Sequence, residues 1–176
     1  MRRVLSAAVL VTAHAALVLA QGADFSGTWR LAADRSRVVP TAGLTGLAGA
    51  GAPETLHITQ PANGTVVIES QVNEGHARLY KPGARIVTPV TVGPGGTIAM
   101  TSRWEGRSLV SEGTRESSSL AQQVKESIGL SSDGRTLTIE ITTTGPDGPS
   151  ASTLVYARTL DVGPCKTWPT PCKTLP

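Results

Sequence analysis

Asp24-Phe25-Ser26-Gly27-Thr28-Trp29-Arg30-Leu31 is the stretch on which the reading of this chain turns. It holds the only Phe and one of three Trp in a sequence that is 3% aromatic. Side chains alternate along a strand, so Phe25, Gly27, Trp29 and Leu31 share one face. Gly27 leaves room on that face for a close crossing. The partner expected for this strand is the last one, Ser152-Thr153-Leu154-Val155-Tyr156-Ala157-Arg158. If the first and last segments pair, everything between them is one closed β-sheet.

The intervening sequence reads as strands and turns. Gly numbers 19 and Pro 12, Thr, Val and Ile are plentiful, and short alternating runs recur between turn signals. No stretch keeps a helical period over three turns with caps. Strands are expected over 54–60, 65–73, 77–80, 85–92, 97–104, 107–116, 120–130, 135–144 and 152–160. Asn63-Gly64 and Asp133-Gly134 are strong hairpin signals. Asn63-Gly64-Thr65 is also a glycosylation sequon, read first as a turn. Pro89 argues that 85–92 is an edge or a bulge. The clearest alternation is Leu137, Ile139 and Ile141 inward against Thr136, Thr138, Glu140 and Thr142 outward. Nine or ten strands joined by hairpins predict an all-β, antiparallel up-and-down β-barrel, with a two-sheet β-sandwich as the alternative.

Before the first strand, Arg2 and Arg3 precede an apolar run from Val4 to Leu19, and Val18-Leu19-Ala20 fits a small-residue cleavage site. Residues 1–20 are therefore expected to be a signal peptide. The barrel domain is expected over 21–161, with a Pro-rich, Cys-containing tail over 162–176. Localisation is expected to be exported, to a bacterial periplasm or outside the cell. Cleavage would remove Arg2 and Arg3 and lower the formal net charge from +3 to +1. No basic stripe remains to bind nucleic acid, and no integral membrane segment is expected after cleavage. A monomer is expected. Cys165 and Cys172 would close a small tail loop in an oxidising compartment. Between the first two strands lies the uncharged, glycine-rich run Gly43 to Pro53. It reads either as a plain loop or as an apolar flap over a cavity mouth, carried by Leu44 and Leu47.

Four motifs in order resemble the calycin superfamily: Phe25-Ser26-Gly27-Thr28-Trp29, Trp104-Glu105-Gly106-Arg107-Ser108-Leu109-Val110, Ser132-Asp133-Gly134-Arg135-Thr136-Leu137-Thr138 and Val155-Tyr156-Ala157-Arg158. The likeness is to fatty-acid-binding proteins, more loosely to lipocalins, and to uncharacterised secreted lipocalin-like proteins of bacteria. It covers Phe25 to Leu160. The resemblance implies a barrel around an internal cavity, closed at its base by Arg158 over Trp29. A guanidinium on an indole face is worth up to about 2 kcal/mol when desolvated. The family's Arg-x-Tyr carboxylate clamp appears here in reverse, Tyr156-x-Arg158. The two residues share a face, so a clamp is open beside the closing role.

The chemistry of catalysis is thin. The histidines after residue 20 are His57 and His76. His57 is expected to be exposed, opposite Leu56 and Ile58, and His76 lies in a turn. No metal-ligand spacing recurs, and no Gly-x-Ser-x-Gly elbow is present. No cofactor and no metal are expected. Glu126 stands out because it is in phase with Val124, Ile128 and Leu130. Two functions follow. One is a non-enzymatic carrier of a small hydrophobic, lipid-like ligand inside the barrel, with Arg158, Tyr156, Leu44 and Leu47 as candidate contacts. The other is a ligand-free barrel acting as an interaction module of the cell envelope. Inward Gly27, Ser102 and Ser111 leave space and tilt the reading to the carrier. An eight-stranded barrel can be just filled or hold one small ligand.

Overall fold

The computed structural model of the chain describes residues 22–39, 52–70, 77–89, 96–117 and 120–159. Ten strands follow one another: β1 (Gly27–Leu31), β2 (Thr55–Thr59), β3 (Val66–Ser70), β4 (Arg78–Tyr80), β5 (Arg85–Pro89), β6 (Thr97–Glu105), β7 (Ser108–Ser117), β8 (Leu120–Leu130), β9 (Thr136–Gly145) and β10 (Gly148–Thr159). One 3-10 turn, Ala33–Arg35, follows β1. The strands form a single antiparallel sheet in the order β4-β3-β2-β1-β10-β9-β8-β7-β6-β5. The first and last strands do pair, Trp29 with Arg158 and Leu31 with Tyr156. That pairing makes the architecture one up-and-down, nearly closed barrel and not two stacked sheets.

Among the described residues no ladder joins β4 to β5, the two ends of the order. There the turn after β4 leans on β6 instead. Pro82 bridges Ser102, and the Gly83 N–H donates to the Ser102 carbonyl at 2.8 Å. Both edge strands are short, and β5 ends on Pro89, which suits an edge.

Alternation decides the interior. Phe25, Trp29, Leu56, Ile58, Val66, Ile68, Tyr80, Ile98, Met100, Leu109, Val124, Ile128, Leu137, Ile139, Ile141, Leu154 and Tyr156 form one buried cluster. Every one of them is 4% exposed or less. Gly27 has φ 138°, a backbone conformation side chains resist. The glycine of the opening motif is therefore a backbone requirement as well as a matter of space.

Strand ends differ modestly from expectation. The last strand starts at Gly148 and not at Ser152, because Pro146 and Asp147 alone make the turn, with Gly145 pairing Gly148. Pro149 is tolerated inside β10 because the first half of that strand runs past β1. Residues 1–21, 40–51, 71–76, 90–95, 118–119 and 160–176 lie outside the described residues. The expected signal peptide, the flap residues Leu44 and Leu47, His76, and Cys165 with Cys172 fall among them.

Candidate functional site: a buried carboxylate cluster and a cleft at the barrel mouth

Three groups of polar side chains stand out against the apolar interior. The first is at the base, where the chain begins and ends. Trp29 is fully buried and its indole N–H donates to the Phe25 carbonyl at 2.9 Å. The Arg158 guanidinium carbon lies 4.6 Å from the Trp29 ring centroid. Its Nε donates to the Gly134 carbonyl at 3.0 Å, and its backbone N–H to the Arg135 carbonyl at 2.9 Å. Arg158 thus ties β1, β10 and the β8–β9 turn together. Tyr156 takes a different direction: its hydroxyl donates to the Pro53 carbonyl at 3.1 Å. Burial raises the Tyr156 pKa well above the ordinary range. The hydroxyl of Tyr156 and the guanidinium of Arg158 therefore hold separate backbone carbonyls.

The second group crosses the middle of the barrel. Arg78 and Tyr80 sit two apart on β4, so both project inward, opposite Ile68 and Val66 of β3. Glu126 reaches in from β8, five places further along the sheet than β3. Arg78 Nη2 donates to Glu126 Oε1 at 3.0 Å, and the Tyr80 hydroxyl to Oε2 at 2.8 Å. The Arg78 guanidinium carbon is 5.5 Å from the Tyr80 ring centroid. All three residues are 3% exposed or less. Burial works against charge on Arg78, yet Glu126 and Tyr80 hold its pKa above the ordinary value. Burial first, and then the Glu126 charge, push the Tyr80 phenol well up. Ser111 pairs Glu126 in register and is 2.8 Å from Ser102. Sequence reasoning singled out Glu126 by phase but missed Arg78 and Tyr80. The signal was the Arg78-x-Tyr80 spacing, set in a three-residue strand too short to show its inward face.

The space expected around Ser102 and Ser111 is closed. The two hydroxyls bond each other and are 2% and 1% exposed. His57 is a further correction, because it is buried at 4% and not exposed. Its Nδ1 is 3.2 Å from the Thr28 hydroxyl, and Glu69 is its cross-strand neighbour. Burial lowers the His57 pKa, and the charge of Glu69 partly offsets it. The outward face of β2–β3 is therefore not a solvated face, which simple alternation would make it. Among the described residues no three His, Cys, Asp or Glu side chains gather as a metal set.

The third group lies at the opposite end from Trp29. A cleft of about 450 Å³ is lined by Arg37, Val39, Gln122, Thr143, Ser150 and the β9–β10 hairpin. Thr143 pairs both Val124 and Ser150, on the inward face of the sheet. The cleft is thus the mouth of the barrel beside β8–β10. Arg37 is held there by two backbone bonds with Thr153, and the Val39 N–H donates to Ser152 Oγ at 2.9 Å. The Ser150 hydroxyl oxygen is buried with no hydrogen-bond partner.

No family model and no curated protein matches the sequence. Solved structures do match, and the fold is calycin-like. A structure described as a REP1-NXSQ fatty acid transporter aligns with TM-score 0.53 and 15% identity over 78% of this chain and 97% of that one. A Schistosoma mansoni fatty acid binding protein in complex with arachidonic acid aligns with TM-score 0.48 and 17% identity, over 77% and 96%. A luciferase domain from the dinoflagellate Lingulodinium polyedrum aligns with TM-score 0.46 and 14% identity, over 76% and 42%. At such identities the likeness is one of fold.

Proposed function

We propose that this chain is an exported, non-enzymatic binding protein that receives a small apolar, lipid-like molecule at the mouth of its barrel. The observation that carries this reading is the cleft of about 450 Å³ over the inward ends of β8, β9 and β10. Its size lies in the range of small-molecule sites, and barrel mouths are a usual place for them. The lining mixes apolar Val39, Pro149 and Ala151 with hydroxyls and the Arg37 cation. A ligand would meet the unbonded Ser150 hydroxyl there. The fold shared with a fatty acid transporter is consistent with the class of ligand. Export is supported by Arg2-Arg3, the apolar run Val4 to Leu19 and the site at Ala20. Leu44 and Leu47 remain candidate contacts on the sequence reading of an apolar flap between the first two strands.

One observation favours the second reading, a ligand-free interaction module of the envelope. The interior from Trp29 to Ile141 is filled by side chains exposed by 4% or less. Native mass spectrometry of the protein from its own exported fraction separates the two. A discrete added mass, released on denaturation and identified as a lipid, supports the carrier. A clean unliganded mass, repeated after incubation with mixed fatty acids and fatty alcohols, leaves the filled module.

A further inference from the structure

The Arg78–Tyr80–Glu126 cluster has the form of a binding site with its guest in place. Its two donors come from one strand and its acceptor from a strand with which β4 shares no ladder. Arg78 Nη2 donates to one carboxylate oxygen at 3.0 Å and the Tyr80 phenol to the other at 2.8 Å. The carboxylate meets Arg78 and Tyr80 as that of a separate molecule would, entering from the far side of the apolar interior. Its backbone is anchored by the β7–β8 and β8–β9 ladders, so it is delivered by a rigid wall.

We propose that Arg78 and Tyr80 form a carboxylate seat occupied by the chain's own Glu126, so that the wild-type barrel refuses anionic head groups and takes only uncharged apolar molecules, such as long-chain alcohols or esters. A second carboxylate could bond to Arg78 only by displacing Glu126 into apolar surroundings or by sharing the site with a like charge. Both are strongly disfavoured in a buried place. An alcohol or ester brings no charge and asks only for a hydroxyl partner. Ser150 offers one at the mouth. The seat itself stands on the cluster geometry, whereas the ligand class rests on the binding function proposed above.

Chemical rescue tests the seat. Glu126→Ala removes the side chain beyond Cβ, and those atoms are matched by acetate. Thermal unfolding is compared in sodium acetate and in sodium chloride of equal ionic strength, at neutral pH. The Glu126→Ala midpoint should rise saturably in acetate, by about 4 °C at about 50 mM for a dissociation constant of about 5 mM. Wild type and Arg78→Met/Glu126→Ala should respond to the two salts alike. If Glu126→Ala does not fold in chloride, the same comparison is read as folded protein recovered on refolding into acetate. An acetate response absent from Glu126→Ala, or equal in wild type, overturns the seat.

The ligand class is tested separately with 1-decanol and decanoate, by native mass spectrometry of wild type and Glu126→Ala. Wild type should take decanol and not decanoate, and the variant should take both. Decanoate bound by wild type as well as decanol overturns the exclusion. Neither bound by wild type, with acetate rescue intact, removes the binding function and keeps the seat.

Discussion

At the scale of the residue, the informative side chains are buried polar ones that simple alternation does not distinguish from surface ones. Arg78 and Glu126 are a buried ion pair, and such pairs contribute little net stability over apolar replacements yet are costly to break. Arg78→Met should therefore destabilise by about 3–5 kcal/mol, because it takes the guanidinium away from the buried Glu126 carboxylate. Arg78→Met/Glu126→Met should recover most of that loss. Urea unfolding of the single and double variants checks both, and equal losses would show that the pair's polarity is not what matters. His57 supplies a pH prediction. Its folded pKa is lowered from the ordinary value of 6.5, chiefly by burial. Between the folded pKa and 6.5 the unfolded chain binds more protons, so stability rises with pH across that window. It is fully present above 6.5 and is lost as pH falls through the folded value. His57→Gln should flatten this part of the stability profile, measured by denaturant midpoints in steps from pH 7 downward. An unchanged slope would assign it to other groups. His57 also shows why the sequence was not enough at this scale. Its place opposite Leu56 and Ile58 was legible, but the burial of the outer face of β2–β3 depends on tertiary packing that alternation does not encode.

Elements were the most legible scale. Period-two alternation and the Asn-Gly and Asp-Gly turns located nearly every strand, because register and turn chemistry are local properties. What alternation could not supply was the close approach of backbones. Gly113 in β7 faces Met100 in β6, and a Cβ built there would collide with the Ala99 carbonyl. Gly113→Ala must therefore push β6 and β7 apart in the longest continuous part of the sheet. A loss of about 2 kcal/mol or more is expected, as for overpacking elsewhere. Gly134, in the β8–β9 turn, provides the contrast. Its φ is +70°, but nothing lies within 4 Å of a Cβ built there. Gly134→Ala should cost only the left-handed strain, about 1 kcal/mol. Urea midpoints of the two variants, measured side by side, should rank Gly113→Ala as clearly the worse. Reversal of that order would mean that β6 and β7 can separate easily. The strand at 77–80 was legible, but its inward face was not, since three residues carry too little alternation to show one.

For the molecule as a whole, closure was legible at the two ends of the sheet-forming stretch: the pairing of β1 with β10 was readable from Trp29 and Arg158. The seam was legible on one side only: Pro89 marked β5 as an edge or a bulge, whereas the three-residue β4 carried no such mark. It divides the barrel into unequal parts. Strands β6 to β9 have partners on both sides over long registers, up to ten residue pairs between β9 and β10. At the other extreme, β4 is held by a three-residue register to β3, by the contacts of Pro82 and Gly83 just after it with Ser102, and by the Arg78–Glu126 pair across the interior. Opening β4 exposes little apolar surface, chiefly Tyr80, whereas opening β8 exposes the interior on both sides of it. Free energies of local opening follow the surface and bonds released. Native-state amide exchange in rising denaturant should therefore separate two groups. Amides of β7, β8 and β9 should exchange slowest, with the full denaturant dependence of global unfolding. Amides of β4 and β5 should exchange faster, with a shallow dependence, through a partial opening of the seam. If β4 amides instead join the slowest group, the ion pair across the interior fastens the seam as firmly as a ladder would. A ligand would then have to enter by the mouth beside β8–β10 and not through the wall.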